Sequence, residues 1–271
     1  MSSFKLIFIS LFLAGFSVVA AFGQASSAPD LVLLKTLQQE LDRAMSSLSN
    51  AEPAPYFISY SATDEFSTVV MASNGALVAS MNRHQRNADI SIRVGNRQLD
   101  NTHGENRLNS VTTATLPLDD RPDAIARVLW INTDRMYKRA AQAYLEVKTS
   151  SKVRADEDDP SPDFSIEKPQ VHIGESTASP NFDQKQWQDR VRRYSAIFAR
   201  YPQIETSTVM LLVENSTKYF VSSEGSRIVD SRPLVRVLAL GSTRADDGME
   251  LARSETFDAS SFDKLASDEV M

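Results

Sequence analysis

The sequence predicts an α+β protein in which largely antiparallel sheets pack with long amphipathic helices, in two consecutive sub-domains. Three observations predict this fold class. Apolar residues recur at spacings of three and four in three long segments, which is the period of an amphipathic helix. Short alternating or continuous apolar runs end at turn-forming residues, as strands of an antiparallel sheet do. An acidic stretch that contains prolines separates the two parts.

Residues 1–23 have the pattern of a secretory signal peptide. Lys5 gives a positive start, an apolar run follows, and Ala21 and Gly23 are small residues that suit cleavage before Gln24. A spanning helix usually needs about 20 apolar residues with anchoring flanks, so a permanent membrane anchor is the weaker interpretation. We therefore expect export to the periplasm or the exterior after cleavage near Gly23, without a stable membrane anchor.

The composition excludes several kinds of site. The chain has no cysteine, so no disulfide, cysteine nucleophile or cysteine-ligated metal can form within it. The formal net charge is −6, and removal of Lys5 with the signal makes it more negative, which argues against nucleic acid as a partner. Three histidines are few for a protein that would bind metal by itself.

An N-terminal α+β sub-domain is predicted at residues 24–154, and residues 30–49 form its first helix. Asp30 is placed to cap this helix, and Asn50 lies where it should end. Its apolar positions share one face that should pack on a sheet: Leu31, Leu34, Leu37, Leu41, Met45 and Leu48.

A strand-rich block follows, with about four strands at residues 56–61, 67–72, 76–81 and 89–95. Asn74-Gly75 is typical of a tight hairpin turn. A long helix is predicted from Pro122 to Lys152, since Pro122 suits a first helical turn and an apolar stripe follows it. The stripe contains Ile125, Val128, Leu129, Met136, Ala140, Ala143, Tyr144 and Val147.

Residues 155–170 are acidic, contain prolines and are predicted to be a linker or surface loop. Residues 171–256 then hold a helix, 183–200, and a β-meander. The meander strands are predicted at 208–214, 219–225 and 234–240, with turns at 215–217 and 223–226. The apolar run from Val209 to Val213 predicts a strand covered on both faces, and Pro233 suits an edge or a strand start.

Residues 257–271 predict the start of a helix, with Ser260 or Ser261 as its cap and Phe262, Leu265 and Val270 as its apolar positions. That helix is not completed by Met271. We therefore expect the chain to be the first portion of a longer protein.

No catalytic, cofactor or metal residue is predicted. A zinc peptidase site needs two imidazoles about one helical turn apart, and no pair among His84, His103 and His172 has this spacing. We expect His84 to be a solvated loop residue. His103 follows Asp100-Asn101-Thr102, which could be a ligand set or, as base rates favour, an exposed Asx-type turn.

Other chemistry has weaker support. A serine hydrolase would need a nucleophile elbow, and no G-x-S-x-G is present. The pair Asp246-Asp247 and the run Asp156–Asp159 lack EF-hand spacing and are predicted to be solvated acidic loops. Arg190, Arg193 and Arg200 are predicted to be a solvated helix face. Roles for His103, Glu224 and Asp246 stay open.

Five motifs resemble those of the TldD/PmbA family, the zinc metallopeptidases also described as modulators of DNA gyrase. They are residues 54–60, Asn74-Gly75-Ala76-Leu77, Arg93-Val94-Gly95 with Asp100-Asn101-Thr102-His103, residues 219–225 and residues 243–249. None is catalytic and each alone is weak, but their order and spacing make the resemblance fairly specific. It covers nearly all of the chain after the signal.

The resemblance implies a non-catalytic portion of an exported metallopeptidase that acts on unfolded or extended peptides. Zinc would be bound only by a His-Glu-x-x-x-His helix in a C-terminal domain beyond Met271, and this chain would enclose substrate and form homo- or heterodimers with a family member. The alternative is a stand-alone, non-enzymatic peptide-binding or partner subunit. An exposed edge of the meander could bind an extended peptide, or the rest of a longer chain could cover that edge.

Overall fold

The computed structural model describes residues 31–104, 110–151, 161–175 and 177–270. The predicted signal peptide and the first part of the predicted linker lie outside these residues. Residues 161–170 form neither helix nor strand. Among the described helices, none combines the length and the apolar character that crossing a membrane requires.

The described residues contain seven strands: β1 (Pro55–Ser73), β2 (Ala76–Val94), β3 (Val111–Thr115), β4 (Val171–Ile173), β5 (Thr206–Ser222), β6 (Arg227–Arg244) and β7 (Glu250–Ala259). They form one sheet in the order β3-β2-β1-β5-β6-β4, and β7 pairs with β6. All pairings are antiparallel except the short parallel pairing of β4 with β6. The α+β fold class is therefore confirmed.

Within the part of the chain that the structure describes, three helices cover one face of this sheet: α1 (Leu31–Leu48), α2 (Pro122–Ser151) and α3 (Gln184–Ala196). The first two pack on a cluster that includes Tyr60, Ile90 and Ile92, and α3 packs on a second cluster that includes Val70 and Leu211. Burial of a large apolar side chain contributes about 1.5–3 kcal/mol, so these two clusters hold the helices on the sheet.

The apolar stripes predicted for α1 and α2 face this core. Leu34, Leu37 and Leu41 of α1 are fully buried, as are Ile125 and Leu129 of α2. The predicted third helix ends earlier than expected, at Ala196, and a 3₁₀ turn follows. Its N-cap is Asp183, whose carboxylate accepts a hydrogen bond from the backbone N–H of Gln186 at 3.0 Å.

The strands are longer than predicted. The first four predicted strands are only two, β1 and β2, and the predicted turn at 215–217 lies inside β5. The polar stretches that suggested breaks between strands have hydrogen-bond and ion-pair partners on neighbouring segments. Arg86 of β2 is 4% exposed and pairs with Asp64 of β1 at 2.5 Å and with Asp120 at 2.8 Å.

Strand β5 has one face that no described helix covers. Its odd-numbered residues from Val209 to Val221 are buried, whereas Met210 and Leu212 are partly exposed on the face without helices. The prediction that this strand is covered on both faces is wrong. A continuous apolar run does not distinguish a doubly covered strand from one whose second face carries partly exposed apolar residues.

Pro233 lies inside β6, not at its start. On the edge of β6 away from β5, β4 pairs with Arg227–Val229 and β7 pairs with Val235–Arg244. Residues 230–234 of β6 lie between these two pairings, so Pro233 occupies a stretch of open edge where a missing N–H donor is tolerated.

Residues 257–270, predicted as the start of a helix, contain the end of β7 and one 3₁₀ turn, Phe262–Lys264. Phe262 packs on Trp187 of α3 with ring centroids 5.1 Å apart, and Arg190 of α3 pairs with Asp268. Of the apolar residues that suggested a new helix, Phe262 and Leu265 pack against the α3 cluster, whereas Val270 is exposed. Arg190 is accordingly more than a solvated residue, since its guanidinium also lies 3.9 Å from the Trp187 ring centroid.

One sheet joins the two predicted parts of the chain. Strand β1 pairs with β5 from Ser59–Ser222 to Ala72–Val209. The predicted division into two sub-domains stays a prediction, but its two segments share this sheet. The hairpin turn at Asn74-Gly75 is confirmed, because both residues have positive φ, 48° and 85°.

Gly95 is expected to be the least replaceable of the glycines with positive φ. At φ 109° an added Cβ would lie 2.5 Å from Cε2 of Tyr144 and 2.7 Å from the Leu99 carbonyl oxygen. Gly95→Ala should therefore lower the free energy of unfolding by about 2–4 kcal/mol, measured by urea denaturation. Gly104→Ala is the matched control, because Gly104 also has positive φ but no atom of the described residues lies within 4 Å of an added Cβ. Equal losses in the two variants would show that backbone strain alone matters.

Candidate functional site

Strand β7 forms an edge of the sheet. It pairs with β6 without a register shift, and among the described residues no strand pairs with its other side. An edge strand presents a row of backbone N–H and C=O groups to which another extended chain can bind. Natural sheets often protect such edges with charged side chains, proline or a bulge; β7 has neither proline nor a bulge, but it carries the charged residues Glu250, Arg253, Glu255 and Asp258.

A mostly apolar cavity of about 430 Å³ adjoins this edge. Its walls include Phe198, Ile204, Ala239, Gly241, Leu251 and Arg253. Gly241 allows the ring of Phe198 to lie close to the sheet, because an added Cβ would be 3.1 Å from Cε1 of that ring. The volume falls in the range of ligand pockets and is large enough for a bulky apolar side chain.

The sequence prediction missed this edge, although a signal was present. Leu251, Arg253, Glu255 and Phe257 alternate with small or polar residues, which is the two-residue period of a strand. Arg253 and Glu255 lie on the same face and form an ion pair of 2.6 Å. The charges in this segment obscured a strand that has no continuous apolar run.

A network of polar side chains lies at the other end of the long strands. At its centre is Asp100, which is 0% exposed. Its carboxylate accepts hydrogen bonds of 2.7 Å from the Tyr56 hydroxyl, from Nη1 of Arg93, and from the backbone N–H and hydroxyl of Thr102. Four donors occupy this carboxylate, so it is a structural group and not an acceptor for a substrate.

The bond from the Thr102 N–H to the side chain of Asp100 is that of an Asx turn, as predicted. The prediction that this turn is exposed is wrong, because Asp100, Asn101 and Thr102 are all buried. Burial is possible since the side chain of Asn101 accepts from the N–H of Val94 at 2.8 Å, which attaches the turn to β2.

Residues in the second part of the predicted linker dock on this turn. Asp163 binds Nδ1 of His103 at 2.8 Å and accepts from the Asp100 backbone N–H at 2.8 Å. Phe164 packs on Phe57, and the guanidinium of Arg93 lies 4.2 Å from its ring centroid. His103 therefore helps to hold residues 163–165 on the sheet.

Glu224 belongs to the same end of the sheet. It lies in the turn between β5 and β6 and pairs with Arg97, which also donates to the carbonyl oxygen of Ser165 at 2.6 Å. The structure thus brings together three of the five motifs that carry the family resemblance, those around Tyr56, Arg93 and Glu224. Their common role is to join the two halves of the chain.

The electrostatics of Asp100 follow from these contacts. Burial by itself raises the pKa of this carboxyl, but the hydrogen bonds from Tyr56, Thr102 and Arg93 outweigh it and leave the pKa below its ordinary value. Burial also raises the pKa of the Tyr56 hydroxyl, and its bond to Asp100 adds to this effect. Tyr56 therefore stays protonated and remains a donor.

His84 is not a solvated loop residue, as the sequence suggested. It lies in the middle of β2, its Nε2 is 2.7 Å from Oδ1 of Asp64, and its ring stacks on Phe66 at a centroid distance of 3.7 Å. Register pairing places His84 beside Phe66 on the helix-covered face, between the two apolar clusters. The polar run around it does not reveal this, because the partners come from another strand.

The remaining residues of interest are exposed. His172 lies in β4, and Asp246 and Asp247 lie in the loop between β6 and β7, as predicted for a solvated acidic loop. Within the described parts of the chain, no group of three or more acidic, histidine or cysteine side chains could hold a metal ion.

The face of the sheet without helices holds a second, more polar cavity of about 550 Å³, lined by Glu214, Lys218, Asp230 and Arg232 among others. Burial raises the pKa of Glu214, and the negative charge of Glu65 adds to this rise. Lining groups of both charges favour no single ligand, so this cavity is a weaker candidate than the β7 edge.

No protein-family model and no curated protein sequence matches this chain. Similar solved structures include a candidate modulator of a DNA gyrase from Thermotoga maritima (TM-score 0.46, 13% identity, 86% of this chain and 45% of that one). TldE from Thermococcus kodakarensis is also similar, with a TM-score of 0.44 and 6% identity over 84% of this chain and 43% of that one. A candidate modulator of DNA gyrase from Bacteroides thetaiotaomicron has a TM-score of 0.46 and 9% identity over 86% of this chain and 46% of that one.

The descriptions of these three proteins agree with the TldD/PmbA resemblance read from the sequence. The chain spans about half the length of each matched structure. With identities below 25% and TM-scores below 0.5, the likeness carries no inference about activity or assembly.

Asp100→Asn should destabilise the protein at neutral pH by about 2–4 kcal/mol, because it removes a buried, fully hydrogen-bonded charge beside Arg93. The pKa of Asp100 is lowered by folding, so its contribution is present above the ordinary pKa of 3.8 and is lost as the pH falls through the folded-state value. Urea denaturation of both proteins between pH 7 and pH 2 should show the difference shrinking below about pH 3.8. Asp123→Asn, at an exposed position, is the control and should change stability little. A difference between Asp100→Asn and the parent that stays constant down to pH 2 would contradict this role.

Proposed function

We propose that this chain is the non-catalytic part of an exported TldD/PmbA-like zinc metallopeptidase, in which it helps to enclose a peptide substrate and associates with a partner subunit. The observation that carries this proposal is the β7 edge, which no described strand covers and which lies beside an apolar cavity. Strand addition at such an edge joins chains through backbone hydrogen bonds and needs little sequence specificity from the partner.

The polar network supports a non-catalytic role. The residues that carry the family resemblance and are buried there have their hydrogen-bonding groups engaged with one another. Such groups stabilise a fold and are poorly placed to activate water or hold zinc. The chemistry would therefore belong to a C-terminal zinc domain, and export would follow from the predicted signal peptide.

Residues 24–271, purified and dialysed without chelator, are expected to retain no stoichiometric zinc and to cleave no peptide. The reason is that His84 and His103 contact the carboxylates of Asp64 and Asp163, His172 is exposed, and no metal-ligating cluster forms among the described residues. Metal analysis and a fluorogenic peptide assay with added zinc measure both. Equimolar retained zinc, or zinc-dependent cleavage, would contradict the non-catalytic role.

A second candidate function is that of a stand-alone peptide-binding or partner subunit. The specific observation that favours it is the cavity, whose apolar walls adjoin the β7 edge and could accept one bulky side chain of an extended peptide. This candidate requires no further domain.

Leu251→Lys is expected to weaken the binding of an extended peptide with one large apolar residue by about tenfold or more, since it places a charge in the cavity wall. Fluorescence anisotropy with labelled peptides measures the affinity. Lysine at Thr256, on the opposite face of β7 and outside the cavity wall, is the matched control and should bind as the parent does. Absence of binding to the parent protein would remove this second candidate.

A further inference from the structure

We infer that the partner at the β7 edge is a second copy of this chain, and that the two β7 strands pair antiparallel about a twofold axis at Ser254. This inference rests on the proposed association through β7 and names its partner.

Backbone geometry limits the registers available to such a pair. In an antiparallel ladder, alternate residues direct their backbone groups to the same neighbour, and opposite residues share one face. When two copies of β7 pair about a twofold axis perpendicular to the sheet, one residue therefore lies at the axis, opposite the same residue of the second copy. The candidates near the middle of β7 are Ala252, Arg253, Ser254, Glu255 and Thr256.

Charge selects one of these registers. With Ser254 on the axis, Arg253 of each copy lies opposite Glu255 of the other. An axis at Arg253 would place two arginines opposite each other, and an axis at Glu255 would place two glutamates opposite each other. Like charges directly opposite destabilise a sheet, whereas opposite charges stabilise it.

The other pairs of this register also match. Leu251 lies opposite Phe257 of the second copy, on the same face as the charged residues. Glu250 lies opposite Asp258 of the second copy, but each carboxylate has an arginine of its own chain: Arg244 is 3.3 Å from Glu250, and Arg236 is 2.6 Å from Asp258. The acidic pair at each end of the seam is thereby neutralised.

An axis at Ala252 or Thr256 pairs neither charge with its opposite. In the first case Arg253 would face Leu251, and in the second Glu255 would face Phe257. Arg253 and Glu255 already form an ion pair within their own strand, and the register centred on Ser254 is the one of the five in which each also lies opposite an opposite charge of the second copy. Because the charges of β7 complement those of a second β7, a second copy of the chain is favoured over an unrelated peptide as its partner.

Charge reversal tests the pairing. Arg253→Glu or Glu255→Arg alone would place four like charges at the seam, so each variant should be monomeric at concentrations where the parent is a dimer. An equimolar mixture of the two should form a heterodimer, and the double variant should again form a homodimer. Sedimentation equilibrium at physiological salt measures all four samples. Restored association also shows that the single variants are folded.

Cysteine cross-linking tests the register, and the absence of cysteine from the chain makes each variant unambiguous. Opposite residues on antiparallel strands have Cα atoms about 4.5–5.5 Å apart, within the reach of a disulfide. Ser254→Cys should therefore give a disulfide-linked dimer under mild oxidation. Thr256→Cys, on the same face, is the matched control, since its two copies would be about 13 Å apart along the strands and should stay unlinked.

The outcomes separate this inference from the function on which it rests. Heterodimer formation on mixing, together with cross-linking at Ser254→Cys alone, supports it. A dimer that persists in both single charge variants overturns the β7 seam but leaves association with a partner intact. A monomeric parent that binds extended peptides overturns the second copy and favours the peptide-binding candidate. A parent that neither associates nor binds peptide overturns both.

Discussion

The pairing of β1 with β5 is the constraint on which the rest of the structure depends. It joins the first and second parts of the chain into one sheet, so that α1 and α2 cover one half of a face and α3 covers the other. Each half has its own apolar cluster. Without this pairing, the first cluster would lose Tyr219 and Val221 of β5, and the second would lose Val70 and Ala72 of β1.

Polar interactions make this long sheet possible. Between the two clusters, the covered face carries Asp64, His84 and Arg86, which would be costly to bury alone. They pair with one another and with Asp120, so β1 and β2 can continue through a region that contains no apolar core. At the far end, Asp100 has a corresponding role, because its hydrogen bonds attach residues 163–165 and the turn after β2 to the sheet.

These two networks account for most of the charged and histidine residues that could have suggested catalysis. The exposed edge of β7 has the opposite character, since its backbone groups on one side have no partner among the described residues. In the proposal made above, this edge is where the chain associates with a partner, because an unpaired edge offers backbone hydrogen-bonding groups to another strand.

The sequence by itself determined the α+β class, the three helices, the Asn74-Gly75 turn and the Asx turn at Asp100, because each depends on spacing or on a few adjacent residues. Tertiary structure decided where strands continue through polar stretches, since Asp64 and Arg86 satisfy each other from different strands. It also decided that residues 257–259 end a strand and that Phe262 packs on α3. The β7 edge was hidden for the same reason: a strand with alternating charges forms only when a neighbour supplies its hydrogen bonds, and that neighbour, β6, is fixed by the whole sheet.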